Sequence, residues 1–204
     1  SMSAELRHDR ELYVVKLDLK SFFDKVDVSA LGRELMRIDQ AHRDKVGRQL
    51  PKKDQVNHEP FWHAVERLFR WSWDDQDCPD SELFATNEDA DCIPLGLPQG
   101  MVASGFLANA YLNQFDILLT QQCTDSTKLA DLSIELLDYC RYVDDIRLVV
   151  SAPVTSEVDV IKNAVQAHIN GCLEQHKSQI KASSSLVLND GKTEVQAYKS
   201  IGLG

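Results

Sequence analysis

Residues 134–150 read IELLDYCRYVDDIRLVV, two apolar runs on either side of Val143-Asp144-Asp145. This pattern predicts a β-hairpin: a first apolar strand, a tight turn at those three residues, and a second strand with Ile146, Leu148 and Val150 on one face. Upstream, residues 12–19 (LYVVKLDL) alternate in the same way, with Val14, Lys16 and Asp18 on one face and Val15, Leu17 and Leu19 on the other. Asp18 therefore ends an apolar strand at a position where packing alone would favour another Val or Leu. Adjacent carboxylates such as Asp144 and Asp145 repel, and a partly buried carboxylate needs a partner. If the two strands are neighbours in a sheet, Asp18, Asp144 and Asp145 converge on one oxygen-rich site that suits Mg²⁺. Two such ions a few ångströms apart can activate an attacking hydroxyl and stabilise a leaving oxygen. Alone, an Asp-Asp hairpin turn is a weak signal.

Working outward, Asp27 is placed to cap a helix on which Val28, Leu31, Leu35 and Ile38 recur at helical spacing. Residues 42–54 are basic and read as a loop, and a second helix is expected after Pro60 with Phe61, Trp62, Val65, Leu68 and Phe69 on one stripe. From Met101 to about Leu119 the pattern is helical and rich in small residues. After Pro153 a helix carries Val158, Ile161, Val165, Ile169, Cys172 and Leu173, with His168 and His176 on the same face as core or boundary residues. Residues 185–201 give two short strand-like runs around Asn189-Asp190-Gly191, a turn signal. The resulting order, β-α-α-loop-α-β-β-α-β-β, predicts an α/β (α+β) fold with helices packed on an antiparallel sheet.

The 204 residues are 43% hydrophobic and 26% charged, a globular composition, with a formal charge of −10. That sign argues against a free-standing electrostatic nucleic-acid binder. Most of the acidity is local, because residues 74–91 hold eight acids and no Lys or Arg. They read as a solvated loop; the calcium-loop spacing and glycine are missing and Pro79 interrupts. Five cysteines (Cys78, Cys92, Cys123, Cys140, Cys172), an odd number without a C-x-x-C pair, read as reduced thiols that mostly fill the core of a cytoplasmic protein. The charge-free run from Cys92 to Phe115 contains Pro94, Gly96, Pro98, Gln99, Gly100, Gly105, Asn109, Asn113 and Gln114, which is not a lipid-facing span. Ser1-Met2 reads as an expression scar, and a fragment of a longer protein is expected.

Four ordered blocks carry a resemblance. LDLKSFFDKVD at 17–27, GLPQGMVASGFLAN at 96–109, RYVDD at 141–145 and LVLNDGKTEV at 186–195 together resemble the palm of reverse transcriptases, particularly the bacterial and group II intron-like lineage. The resemblance covers essentially the whole chain. It implies an RNA-directed DNA polymerase palm with part of the fingers, the other fingers blocks and a thumb lying outside these residues. It also implies that the parent protein carries its phosphate-binding Lys and Arg there, which accounts for the acidic balance.

Carried over residue by residue, the resemblance makes Asp18 and Asp144 the principal ligands of two Mg²⁺ (or Mn²⁺) ions, with Asp145 in support and the Leu19 carbonyl a further contact. Phe23 matches the aromatic under the sugar of the incoming dNTP, where a ring leaves no room for a 2′-hydroxyl. Gln99 and Gly100 match the block that packs on the incoming nucleotide and template base. Lys192 matches the lysine that protonates the leaving pyrophosphate, a general-acid role. The implied partners are an RNA template, a DNA primer and dNTPs. Ser104-Gly105 departs from the family's usual Ser-Pro and is reminiscent of viral RNA polymerases. Alternatives are RNA synthesis or untemplated addition in a defence system, and, independently, a non-catalytic palm-like scaffold.

Overall fold

Strand β1 (Arg10–Asp18) is an interior strand of a five-stranded antiparallel sheet of order β2-β3-β4-β1-β5. The computed structural model describes residues 9–47, 59–68, 96–98, 100, 102–129 and 133–200. The other strands are β2 (Lys128–Leu129), β3 (Ile134–Tyr142), β4 (Asp145–Pro153) and β5 (Glu194–Ala197). Tyr13, Val15 and Leu17 stand directly opposite Val150, Leu148 and Ile146, and all six are buried. Val14, Lys16 and Asp18 face the other way, opposite Val149, Arg147 and Asp145, and keep solvent contact. The alternation read from the sequence thus sets the register.

The described residues divide into two compact units: those within Ser1–Phe22, Leu112–Gln179 and Ser185–Gly204, and those within Phe23–Tyr111 and Ile180–Ser184. In the first, helix α4 (Asn113–Thr124) packs on β3, and α5 (Val158–Ile180) buries Ile161, Val165, Ile169, Cys172, Leu173 and His176. The His176 ring meets Phe115 of α4 edge-on, with centroids 6.2 Å apart, and burial lowers its pKa to about 4. His168 is half-buried, 2.9 Å from the Gln122 amide oxygen. Both are the core or boundary residues expected.

The second unit holds α1 (Val28–Gly47), α2 (Glu59–Leu68) and α3 (Ser104–Tyr111). Asp27 caps α1 as its sequence position suggests: one carboxylate oxygen accepts the Ala30 amide at 2.9 Å. The other accepts the amide and hydroxyl of Ser183 at 2.7 and 2.6 Å. Gly96, at φ +80°, lies where a Cβ would collide with the Phe23 carbonyl and the Asp24 backbone, and the Leu97 amide donates to that carbonyl at 2.8 Å.

Several expectations are corrected. The basic stretch from residue 42 stays helical to Gly47, where Arg43 pairs with Asp39 and Gln40 with Asp44 at one-turn spacing; residues 48–54 lie outside the described residues. The helix expected after Pro60 begins at Glu59, and Phe61 is exposed rather than on a buried stripe. The single helical run from Met101 is two helices parted at Leu112. The first run near residue 186 makes only an isolated bridge, Leu188 to Leu19, followed by a 3₁₀ turn at Asp190–Lys192. Of the three cysteines among the described residues only Cys172 is buried, Cys123 is half-buried and Cys140 is exposed; Cys78 and Cys92 lie outside the described residues, as do residues 74–91. Val158, expected on the buried face of its helix, is exposed. Among the described residues no helix is long and apolar enough to cross a membrane.

Burial would push the Asp27 carboxyl up, but the Ser183 and Ala30 hydrogen bonds and the Arg33 charge outweigh it and hold the pKa below the ordinary value. A lowered native pKa confers stability that is full above the unfolded value and lost as pH falls through the native one. Asp27→Ala is therefore expected to cost about 1–3 kcal/mol near neutral pH. In urea titrations that difference should shrink below about pH 4.

Candidate active site

β1 ends at Asp18 and β4 begins at Asp145, and the register places these two residues directly opposite one another. One step further, the Leu19 amide donates to the Asp144 carbonyl at 3.2 Å. Tyr142 pairs with Asp145, so Val143 and Asp144 form a two-residue hairpin loop. Val143 takes φ +56°, in the left-handed region that a β-branched residue rarely occupies.

The Asp18 side chain is 15% exposed, and each of its oxygens has a partner. One oxygen receives the Lys192 ammonium at 3.1 Å and the other the Asn189 side-chain amide at 3.3 Å. The Asn189 backbone amide donates to the Asp18 carbonyl at 2.8 Å, and the 3₁₀ turn that follows brings Lys192 back over the carboxylate. Four expected site residues, Asp18, Asp144, Asp145 and Lys192, thus meet at one end of the sheet, with the Leu19 backbone among them. Burial raises the Asp144 pKa; its own backbone amide pulls it down, the Asp18 and Asp145 charges push it up, and Lys192 opposes them.

Among the described residues no group of three or more His, Cys, Asp and Glu side chains is gathered tightly enough to grip a metal ion. The three-carboxylate pocket expected from the sequence is accordingly not closed, and a lysine ammonium sits on Asp18. The donor chemistry still fits a hard divalent cation: the ligands are carboxylate oxygens, Asp144 lies in the field of two others, and Asp18 already holds one positive charge.

Phe23 and Gly100 belong to the second unit. Phe23 is half-buried and opens a 3₁₀ turn; Gly100 is exposed at φ +84°, a conformation that favours glycine. Gln99 lies outside the described residues. Residues 3–201 match the family described as reverse transcriptase (RNA-dependent DNA polymerase). The chain belongs to the reverse transcriptase family. Its helices and antiparallel sheet are those of a polymerase palm, and reverse transcriptase domains typically work with divalent metal ions.

Similar solved structures include telomerase from Candida tropicalis in complex with a fragment of telomeric RNA, at 14% identity and a TM-score of 0.49. Telomerase from Candida albicans with the same kind of RNA fragment aligns at 15% identity and a TM-score of 0.45. The alignments cover 98% and 94% of this reverse transcriptase chain but 28% of each telomerase chain. A search of curated proteins finds no match.

Two features of this reverse transcriptase palm escape a reading by motif. Asn189, which opens the Asn-x-x-Lys-Thr sequence, fixes Asp18 through both its backbone and its side chain. Arg141 and Tyr139, preceding the turn, bind Asp116 of α4; no local pattern connects residues so far apart in sequence. A raised carboxyl pKa is a folding penalty that is full above the native value and vanishes below the unfolded one. With chelator present, Asp144→Asn should therefore melt above the wild type at pH 7, and the gap should close as pH falls toward 3.8, followed by circular dichroism.

Proposed function

We propose that this chain is the palm, with part of the fingers, of an RNA-directed DNA polymerase of the bacterial and group II intron-like lineage. It would add dNTPs to a primer 3′-hydroxyl on an RNA template. The observation that carries the reading is the β1–β4 register, which sets Asp18 opposite Asp145 and beside Asp144.

Asp18 and Asp144 would hold two Mg²⁺ or Mn²⁺ ions, with Asp145 in support and the Leu19 carbonyl as a further contact. When bound, the ions supply Lewis-acid chemistry at the attacking hydroxyl and at the leaving phosphate oxygen. The 3′-oxygen forms a bond to the α-phosphorus in line with the bond that breaks to pyrophosphate, and the hydroxyl proton passes to solvent. Lys192, 64% exposed and within 3.1 Å of Asp18, donates a proton to the departing pyrophosphate. The Phe23 ring bars a ribose 2′-hydroxyl, and Gln99 and Gly100 pack on the nucleotide and template base.

In the complete protein, Asp144→Asn is expected to abolish primer extension while the fold persists; full activity would remove the assignment. The wild type should melt higher with added Mn²⁺, and Asp18→Asn should lose most of that shift. No shift and no extension in the wild type would favour the scaffold reading. Phe23→Ala should admit NTPs into product at a rate at least about tenfold above wild type, read by extension with dNTPs or NTPs, with and without template.

A further inference from the structure

The hairpin that carries Asp144 is strained and pinned. Val143, β-branched and at φ +56°, precedes Asp144 directly. Its carbonyl oxygen accepts a hydrogen bond from Arg141 Nη1 at 2.6 Å. The rest of that guanidinium is locked: Nε and Nη2 reach the two carboxylate oxygens of Asp116 at 2.9 and 2.6 Å, a bidentate fork. Tyr139 donates its hydroxyl to the same carboxylate at 2.6 Å. The Arg141 side chain is only 4% exposed, because it stands opposite Ile146 on the inner face of the sheet.

Burying a guanidinium against a carboxylate that is itself 34% exposed is a poor source of net stability, since an apolar residue of similar volume does as well. What Arg141 offers that an apolar residue cannot is a rigid planar donor aimed at one carbonyl. We propose that Arg141 and Asp116 are positioning residues: together they pin the Val143 carbonyl and thereby fix the backbone from which Asp144 projects. The importance of this clamp for catalysis rests on the polymerase reading above; its mechanical action does not.

The Leu19 amide reports on the clamp without any assay of activity, because its hydrogen bond ends on the Asp144 carbonyl. Amide hydrogen exchange, followed by NMR on the full chain, should show Leu19 protection falling at least about tenfold in Arg141→Lys, which keeps the charge but loses the fork. Val15 and Leu148, in the middle of β1 and β4, should keep theirs. Asp116→Asn, nearly isosteric, should do the same and serves as the second variant if Arg141→Lys folds poorly. Val143→Gly removes the conflict at positive φ, so adding it to Arg141→Lys should restore Leu19 protection. A pair that merely glued α4 to the sheet would loosen Leu19, Val15 and Leu148 together and would not be rescued at position 143.

Unchanged Leu19 protection in both variants, uniform loosening, or no rescue by Val143→Gly would each overturn the proposal. In the complete protein, kcat for dNTP addition should fall about a hundredfold with KM nearly unchanged, the signature of a misplaced reacting group. If Leu19 responds as expected but the wild type extends no primer, the polymerase reading fails and the clamp stands.

Discussion

The antiparallel pairing of β1 with β4 is the constraint from which the site follows. Like charges placed directly opposite on a sheet are destabilising by up to about 1 kcal/mol, so Asp18 and Asp145 do not face each other by attraction. They are held there by the other face. Tyr13, Val15 and Leu17 bury themselves against Val150, Leu148 and Ile146, and each large apolar side chain contributes about 1.5–3 kcal/mol. A slip of one residue would turn that whole apolar set to solvent and Lys16 and Asp18 inward. Core burial therefore outweighs the repulsion several-fold and forces the carboxylates together at the sheet end.

A second constraint acts on the turn itself. A register shift between Leu136 and Asp138 breaks the alternation of β3, so that Tyr139 and Arg141 point inward where Asp138 and Cys140 would otherwise stand. This half-turn of the strand brings the guanidinium to Asp116 and to the Val143 carbonyl. The bulge, the Arg141–Asp116 pair and the positive φ are thus one device: irregular pairing admits a polar clamp, and the clamp holds an unfavourable backbone conformation.

The same bulge marks where the sequence stops being legible. Strict alternation from Ile134 and Leu136 assigns Cys140 to the core, and Cys140 is exposed, because one inserted residue inverts every position after it. The hairpin, the capped helix at Asp27 and the placing of Asp18 at the same sheet end as the Asp144-Asp145 turn were readable, since each depends on local periodicity or on a short motif. Helix α1 running on to Gly47 was not, because its last turns are held by Asp39–Arg43 and Gln40–Asp44 contacts rather than by an apolar stripe. The break at Leu112 has no side-chain cap and no Gly or Pro beside it, so nothing in the local sequence announces it. The Asn189 grip on Asp18 joins residues 171 apart, which only tertiary pairing reveals.

Two ion pairs flank the hairpin, and their burial gives them opposite characters. Arg141 is 4% exposed and bound through a bidentate fork, so removing Asp116 would strand its charge inside the protein. Lys192 is 64% exposed and makes a single contact with Asp18; pairs of that kind contribute about 0–1 kcal/mol and are screened by salt. Its departure from Asp18 costs little, because water solvates the released ammonium at once. The Asp18 carboxylate, left beside Asp144 with only the neutral Asn189 amide upon it, then has every electrostatic reason to accept a cation of higher charge density. The hairpin backbone is thus held by the contact that cannot exchange, and the positive charge at its tip is supplied by the contact that can.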